Sequence, residues 1–288
     1  MKRWLTVGSA ALLITLGASQ AYAAEAAVAP KKPSGPVEAL AKQYSKGTSL
    51  RSSHWMTFRS SGQVLARTHQ SGKVRVGRYG PVASDRTTKM TVAALGQLAP
   101  ASRVITINGA SYITGGGLEK VLPPDKKWLR VHRNPGSYGD INTADLIDVL
   151  EPGTFKTVLA RGGRKVGKYS YAGSITVGEL QKFSKSFREK SAGITMTAQQ
   201  RRTPVRWKLW VGADQLPTRM TASYDYTYKR VKGTMTFEST YYAWGKPVSI
   251  AAPPESEVAD KDDLKDRGPG NIPNLPGMPR LVTTVERL

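Results

Sequence analysis

The three histidines of the chain are the first candidates for metal binding or acid–base chemistry. His54, His69 and His132 do not share the i, i+4 spacing that places two ligands on one helix face, and no HExxH motif is present. His54 stands beside Trp55 in a strand-like segment, and His132 ends another such segment. We therefore expect surface or edge histidines and no metal site.

Motifs for nucleophilic or phosphate chemistry are also missing from the sequence. The glycines at 115–117 lack the Lys-Ser/Thr pair of a phosphate loop, and no GxSxG motif occurs. Asp145 and Asp148 lie one helical turn apart, but an acid near a helix start is ordinary dipole chemistry. The chain has no Cys, which excludes thiolate catalysis, iron–sulfur clusters, disulfides and a lipidated Cys. We predict a protein that is not an enzyme and needs no cofactor.

Alternation of apolar and polar residues is the dominant pattern and predicts strands. It runs from residue 50 to 113, where Asn108-Gly109 predicts a two-residue hairpin, and again from 205 to 250. Further predicted strands lie at 128–131, 157–161 and 165–174, with a final short strand at 248–250. Two predicted strands precede the one at 248–250. Met220, Ala222, Tyr224, Tyr226 and Tyr228 share one face of the first strand, and Met235, Phe237, Ser239 and Tyr241 share one face of the second.

Three short helices are predicted between these strands. The first spans 37–46, where apolar residues recur three and four apart. The second begins near Asn142 and stops at Glu151-Pro152-Gly153, and the third opens with a capping box at Thr176 and Glu179. The fold class is therefore α+β, with one large, mostly antiparallel sheet that helices cover on one face.

Targeting and composition place this sheet outside the cytoplasm. Residues 1–23 have a basic start, an apolar stretch and a small-x-small end at Ala21 and Ala23, which is typical of a secretory signal peptide. An uncleaved anchor helix is the alternative, but the apolar stretch is shorter than the ~20 residues that span a bilayer. We expect a flexible leader at 24–36, one domain at 37–254 and a mobile Pro/Gly-rich tail at 255–288.

The net charge predicts anionic partners. It is +22, from 43 Lys plus Arg and 21 Asp plus Glu in 288 residues. The basic residues are spread along predicted strands rather than clustered, which favours a solvated outer sheet face over a nucleic-acid groove. We expect no nucleic acid, but attraction to an anionic membrane or wall polymer.

Several segments of the sequence match a known pattern. They are INGASYI at 107–113, KWL at 127–129, KYSYAGSI at 168–175, VGEL at 177–180, PVRWKLWV at 204–211, DQLPTR at 214–219, TMTF at 234–237, YAWGKPV at 242–248 and APPE at 252–255, with Glu257-Val258 after it. With these segments the chain resembles secreted actinobacterial proteins of the LolA-like superfamily, similar to the LppX and LprG lipid-carrier lipoproteins. The resemblance spans about residues 37–258.

This resemblance implies an unclosed half-barrel with helices on its concave face and an apolar pocket for acyl chains between them. The relatives commonly keep a lipidated Cys after the signal, and this chain has none. The resemblance therefore leaves the carrier function open and makes a membrane anchor doubtful.

Inward-facing residues of the strands would line such a pocket, although alternating apolar residues line any sheet core and a core role is the commoner one. The Tyr residues at 224, 226 and 228 fit either a solvated ladder or a pocket rim, and Arg206, Arg219 and Lys229 are candidates to hold an anionic headgroup. The candidate ligand-binding residues are Trp55, Phe58, Val104, Ile107, Trp207, Leu209, Met220, Tyr224, Met235 and Phe237.

Two functions remain open at this point. The first is a secreted, monomeric carrier or binder of an amphiphilic lipid or acylated ligand in the bacterial envelope. The second is a non-enzymatic interaction or stress-sensing module on the same fold, which binds an anionic wall or membrane surface. A space of less than ~300 Å³ between sheet and helices would favour the second, because ligand pockets are usually larger.

Overall fold

A computed structural model describes residues 33–93, 97–132, 144–228, 231–260 and 263–264 of the chain. The predicted signal peptide and all but the last four residues of the predicted leader lie outside these ranges. Within them, one 12-stranded sheet dominates the fold. Its strands are β1 (Ser49–Ser60), β2 (Gln63–Gly77), β3 (Gly80–Val92), β4 (Gln97–Ile107), β5 (Ala110–Gly115), β6 (Trp128–His132), β7 (Arg164–Gly167), β8 (Ser170–Thr176), β9 (Pro204–Val211), β10 (Pro217–Tyr228), β11 (Val231–Tyr242) and β12 (Val258–Asp260).

The strands follow the order β12-β6-β5-β4-β3-β2-β1-β11-β10-β9-β8-β7. Two antiparallel meanders, β1 to β6 and β7 to β11, are joined where β1 pairs with β11, and only β12 is parallel to its neighbour β6. The two terminal strands, β12 and β7, do not pair, so the sheet is open. The predicted α+β class with a large, mostly antiparallel and unclosed sheet is confirmed.

Tight hairpins explain why neighbouring strands along the chain pair with each other. Asn108 and Gly109 both have positive φ, 53° and 74°, as a two-residue turn of this kind requires. Ser61 and Gly62 make the same reversal between β1 and β2, with φ of 48° and 79°. The hairpin predicted from Asn-Gly is therefore confirmed.

Five α-helices are present in the described residues. They are α1 (Pro36–Ser45), α2 (Pro152–Gly162), α3 (Val177–Phe183), α4 (Lys185–Lys190) and α5 (Ala198–Arg202). The predicted first helix is confirmed. The capping box is confirmed as well: the Thr176 side chain accepts a hydrogen bond from the Glu179 amide, and the Glu179 side chain accepts one from the Thr176 amide.

Two predictions around residue 150 are wrong. Residues 144–150 form turns and bends rather than a helix, and the predicted strand at 157–161 belongs to α2. Pro152 starts that helix instead of ending one, because a proline at the first helical position loses no hydrogen bond and has a suitable φ.

The end of the domain also differs from the prediction. Residues 248–250 are extended but pair with no strand, whereas β12 continues the sheet beyond residue 254, where we expected the domain to end. Arg130 on β6 fixes this added strand through two bonds to the Asp260 carboxylate, 2.7 and 2.5 Å, and one to Glu255, 2.6 Å. Acidic residues that look like a solvated tail in the sequence are therefore ion-pair partners.

The helices pack on one face of the sheet, which we call the inner face. Leu40 of α1, Phe155 of α2 and Leu180 of α3 join the main core with inner-face residues such as Leu50 and Leu209. The opposite, outer face is covered in part. Over β3 to β6, Ile250 and Val248 of the extended segment pack on a second cluster that includes Ala83, Ile105, Tyr112 and Trp128.

Candidate functional site

The ladder register places eight of the ten candidate lining residues on the inner face and two on the outer face. Trp55 lies opposite His69 on the outer face, and Ile107 belongs to the cluster under the extended segment. The expectation that both face inward is wrong for a geometric reason. Residues of one strand that are an odd number apart point to opposite faces, so Trp55 cannot accompany Phe58, nor Ile107 accompany Val104.

The eight inner-face candidates differ in their exposure. Trp207, Leu209, Met220 and Phe237 are buried in the main core, and Val104 packs against a third cluster beside Ile113, Leu118 and Leu129. Four of the eight are half-buried, namely Val104, Phe58, Tyr224 and Met235. The last three lie on the adjacent strands β1, β10 and β11, away from Val104 on β4.

These three residues form one row across adjacent strands. Phe58 of β1 lies opposite Met235 of β11, which lies opposite Tyr224 of β10. Gly233 leaves space for the Phe58 ring, because a Cβ on this glycine would come within 2.5 Å of that ring. Half-buried Met56 and Tyr226 adjoin the row, and we call all five residues, Met56, Phe58, Tyr224, Tyr226 and Met235, the inner-face aromatic patch.

The rings of the patch contact each other and the core. Phe58 and Tyr226 meet edge to face with centroids 6.0 Å apart, and Tyr224 stacks on Phe237 at 6.1 Å. Burial, together with Tyr226, raises the pKa of Tyr224 to about 12, so its phenol stays uncharged. The patch is thus an apolar, uncharged surface; the side chain of Tyr228 lies outside the described residues.

A buried polar cluster, which the sequence analysis missed, lies at the middle of the inner face. Asp145, from the turn-rich segment that covers this face, places Oδ1 2.6 Å from Nδ1 of His54 on β1. The same carboxylate accepts bonds from the Ser239 and Tyr241 hydroxyls of β11, the latter at 2.8 Å. All four residues are at most 3% exposed, so the carboxylate has exchanged water for protein donors.

Arg86 completes this cluster from β3. Its Nη1 donates to His54 Nε2 at 3.1 Å and to Gln70 Oε1 at 3.3 Å. Because an arginine can only donate, Nε2 of His54 must accept, and the proton therefore sits on Nδ1 and points to Asp145. His54 is therefore a neutral histidine that accepts a hydrogen bond from the Arg86 cation and donates one to the Asp145 carboxylate.

The charges of the cluster follow from burial and from each other. Burial lowers the pKa of His54 and outweighs the opposite effect of Asp145. Burial alone would raise the pKa of Asp145, but His54, Ser239 and Lys190 together hold it below its ordinary value. Burial, with help from Asp145, raises the pKa of Asp148 to about 6.

Other bonds attach the same covering segment, residues 144–151, to the helices. Lys190 of α4 donates to the Asp145 carbonyl at 2.7 Å, and Tyr44 of α1 donates to the Leu150 carbonyl. Glu151 accepts from the amides of Lys185 and Ser186 at the start of α4, at 2.7 and 3.2 Å. The cluster and these bonds therefore fasten the covering segment to the sheet and to the helices.

The candidate headgroup cations do not lie near the patch. Arg206 and Arg219 are on the outer face, where they pair with Asp225 at 3.0 Å and Glu238 at 2.9 Å. Lys229 lies outside the described residues. Their predicted role at the mouth of an inner pocket is therefore wrong for the first two.

Two small hollows border the helices. One of about 200 Å³ lies between α1 and α2, bordered by Leu40, Ala41 and Phe155, and another of about 190 Å³ lies beside Lys42 and Leu216. Both are smaller than most ligand pockets. An acyl chain would therefore need the patch, or a displacement of the cover, rather than either hollow.

Two further observations concern membranes and metals. None of the helices in the described ranges is both long enough and apolar enough to cross a bilayer. Groups of three or more metal-ligating side chains are likewise not found among those residues.

Comparison with known proteins finds similarity only among solved structures. No family model and no curated protein matches the chain. It is similar to a DUF1329 family protein from Desulfovibrio piger, at 11% identity over 75% of this chain and 95% of that chain, with a TM-score of 0.27. It is also similar to a LolA superfamily protein from Nitrosomonas europaea, at 8% identity over 76% and 95% of the two chains, with a TM-score of 0.25. The fold class itself rests on the strand order described above, and the LppX/LprG subtype stays a prediction.

Proposed function

We propose that the protein is a secreted, non-enzymatic binder of amphiphiles in the bacterial envelope, and that the acyl part of its ligand lies on the inner-face aromatic patch. The observation that carries this proposal is the row of Phe58, Met235 and Tyr224. Three large apolar side chains lie side by side on adjacent strands of the inner face and are only partly buried. In a protein that only needed a core, such a row would be covered or polar.

The chemistry of the patch suits an acyl chain. Each CH₂ group that leaves water contributes roughly 0.8 kcal/mol, so a chain of ordinary length needs only part of its surface buried. Methionine adapts its shape to varied apolar partners, and Met56 and Met235 both adjoin the Phe58 ring position. The uncharged Tyr224 phenol adds a polar edge without a buried charge.

The secreted location and the monomeric state are part of this proposal. Support for export comes from the signal-like residues 1–23. The absence of Cys is compatible with a protein that is released rather than lipid-anchored. The LppX/LprG-like resemblance in the sequence supports a lipid or acylated ligand of the envelope.

The proposal is tested by binding of a fluorescent fatty acid to the full chain. Phe58→Ser removes a ring of the patch, whereas Trp55→Ser removes a half-buried ring of the same strand from the outer face. We expect the Phe58 variant to bind the probe at least about tenfold more weakly, from the loss of roughly 1.5–3 kcal/mol of apolar contact. Equal affinity of the two variants would refute binding at the patch.

The small size of the two hollows beside the helices favours a second function, an interaction module that uses the same fold. The hollows of about 190 and 200 Å³ fit a protein whose interior holds no ligand. Such a module would bind anionic wall polymer or membrane by charge alone and would release it at high salt. A fluorescent fatty acid that fails to bind the wild-type chain, together with salt-sensitive polymer binding, would favour this function.

A further inference from the structure

The outer face of the sheet over β2 and the end of β3 carries a row of basic side chains, four of them cations. On β2, Arg67, His69, Lys73 and Arg75 alternate with inner-face residues and so share the outer face. Lys89 of β3 lies directly opposite His69. We call these five residues the basic stripe. On β2 its members form two pairs, Arg67 with His69 and Lys73 with Arg75, with Ser71 between the pairs. About 6.7 Å, the length of two residues in a strand, separates the members of each pair.

Three of these cations have no carboxylate partner. Lys73 lies 3.8 Å from Asp85, but no ion pair joins Arg67, Arg75 or Lys89 to an acid within the described part of the chain. All three are exposed. Burial, followed by the charges of Lys89 and Arg67, lowers the pKa of the His69 ring between them, so this ring adds no charge of its own to the stripe.

The side chains at one end of the stripe are held in place. Trp55 stacks on His69 with ring centroids 4.1 Å apart and planes at 17°, and the Arg67 guanidinium lies 4.0 Å from the Trp55 ring. Ser53 Oγ lies 2.9 Å from His69 Nε2. Ordering these groups before binding reduces the entropy that a ligand would have to remove.

We propose that the basic stripe binds an extended polyanion outside the cell, namely an anionic wall polymer whose phosphates repeat along its chain. A linear set of exposed cations on one strand and its neighbour suits repeated charges on one extended chain. Among the described residues that lie opposite members of the stripe, Trp55 is the one large apolar side chain, and its ring is occupied by His69 and Arg67. Asp85 opposite Lys73 is acidic. Other neighbouring side chains are short hydroxyls rather than the apolar residues that insert into a membrane surface. They are Ser53, Thr57, Ser71, Thr87 and Thr91.

This inference is independent of the ligand site, because the stripe and the inner-face aromatic patch lie on opposite faces of the sheet. It depends on the proposed export only for the place where polymer and protein would meet. A protein that fails to bind the fatty acid could therefore still bind a polyanion at the stripe. Likewise, a protein that fails to bind the polyanion could still bind a fatty acid at the patch.

The test measures binding of the full chain to purified poly(glycerol phosphate) over a range of salt concentrations. Arg67→Gln combined with Lys89→Gln removes two charges from the stripe. Lys120→Gln combined with Lys182→Gln removes two exposed charges elsewhere. We expect the stripe variant to bind at least about tenfold more weakly and to lower the log–log salt slope by about one per lost contact, with a much smaller change in the control.

Three outcomes would overturn the proposal. One is a wild-type chain that does not bind the polymer, and another is an equal loss in both double variants, which would indicate net charge rather than a site. The third is binding to vesicles of phosphatidylcholine and phosphatidylglycerol that depends on the stripe while polymer binding does not. Unchanged circular dichroism and melting of both variants would show that their folds are intact.

Discussion

Gly72 of β2 lies directly opposite Arg86 of β3 in the ladder, and the missing Cβ of the glycine leaves room for the arginine. A Cβ at Gly72 would come within 2.8 Å of the Arg86 Cα, 2.9 Å of its Cγ and 2.1 Å of the Asp85 carbonyl oxygen. Arg86 can therefore occupy its buried position only because Gly72, on the adjacent strand, has no side chain.

Gly72→Ala is expected to lower the free energy of unfolding by at least about 2 kcal/mol, because two strands or the Arg86 side chain must move. Urea denaturation measures this change. Gly153→Ala is the control, since its Cβ would meet nothing within 4 Å and alanine suits a helix better than glycine. A Gly72 variant as stable as the Gly153 variant would contradict this account of Arg86.

Asp145→Asn is expected to destabilise the protein by about 3–5 kcal/mol, because Arg86 and Lys190 would keep buried charges without this counter-ion. Asp85→Asn is the matched control. Asp85 pairs with Arg103 at 2.8 Å at the surface, where such a pair contributes about 1 kcal/mol or less. Similar losses in the two variants would show that the buried cluster does not fasten the covering segment.

Asp148→Asn should change the dependence of stability on pH. The pKa of Asp148 in the folded protein is about 6, raised above its ordinary value of 3.8. The contribution of this group to stability is therefore fully present below pH 3.8 and is lost as the pH rises through about 6. The neutral variant should therefore be more stable than wild type by about 3 kcal/mol near about pH 8 and lose this advantage near about pH 4. Thermal or urea unfolding at several pH values measures the difference, and a constant difference would contradict the raised pKa.

Most of the fold could be predicted because strand periodicity and tight turns are local. The Asn108-Gly109 hairpin and the Thr176 capping box involve residues that are neighbours in the chain. β12 could not be predicted in this way, because its partner β6 lies about 130 residues earlier and three residues are too few to show a period.

The candidate site could be predicted only in part. Alternation placed Phe58, Tyr224 and Met235 on the inner face, but it says nothing about which inner residues the helices cover. The pairing of Asp145 with His54, 91 residues away, leaves no local pattern. The sequence did contain one indication of a buried polar cluster. His54 and Ser239 are polar residues at inward positions of strand faces that are otherwise mostly apolar.

Binding of an amphiphile at the patch is decided by mass spectrometry of an organic extract from the protein, purified from its native source. We expect an acyl-chain amphiphile in an amount comparable to the protein for the wild type and Trp55→Ser, and a clear loss for Phe58→Ser. A wild-type extract without any amphiphile, or equal amounts in the two variants, would contradict it.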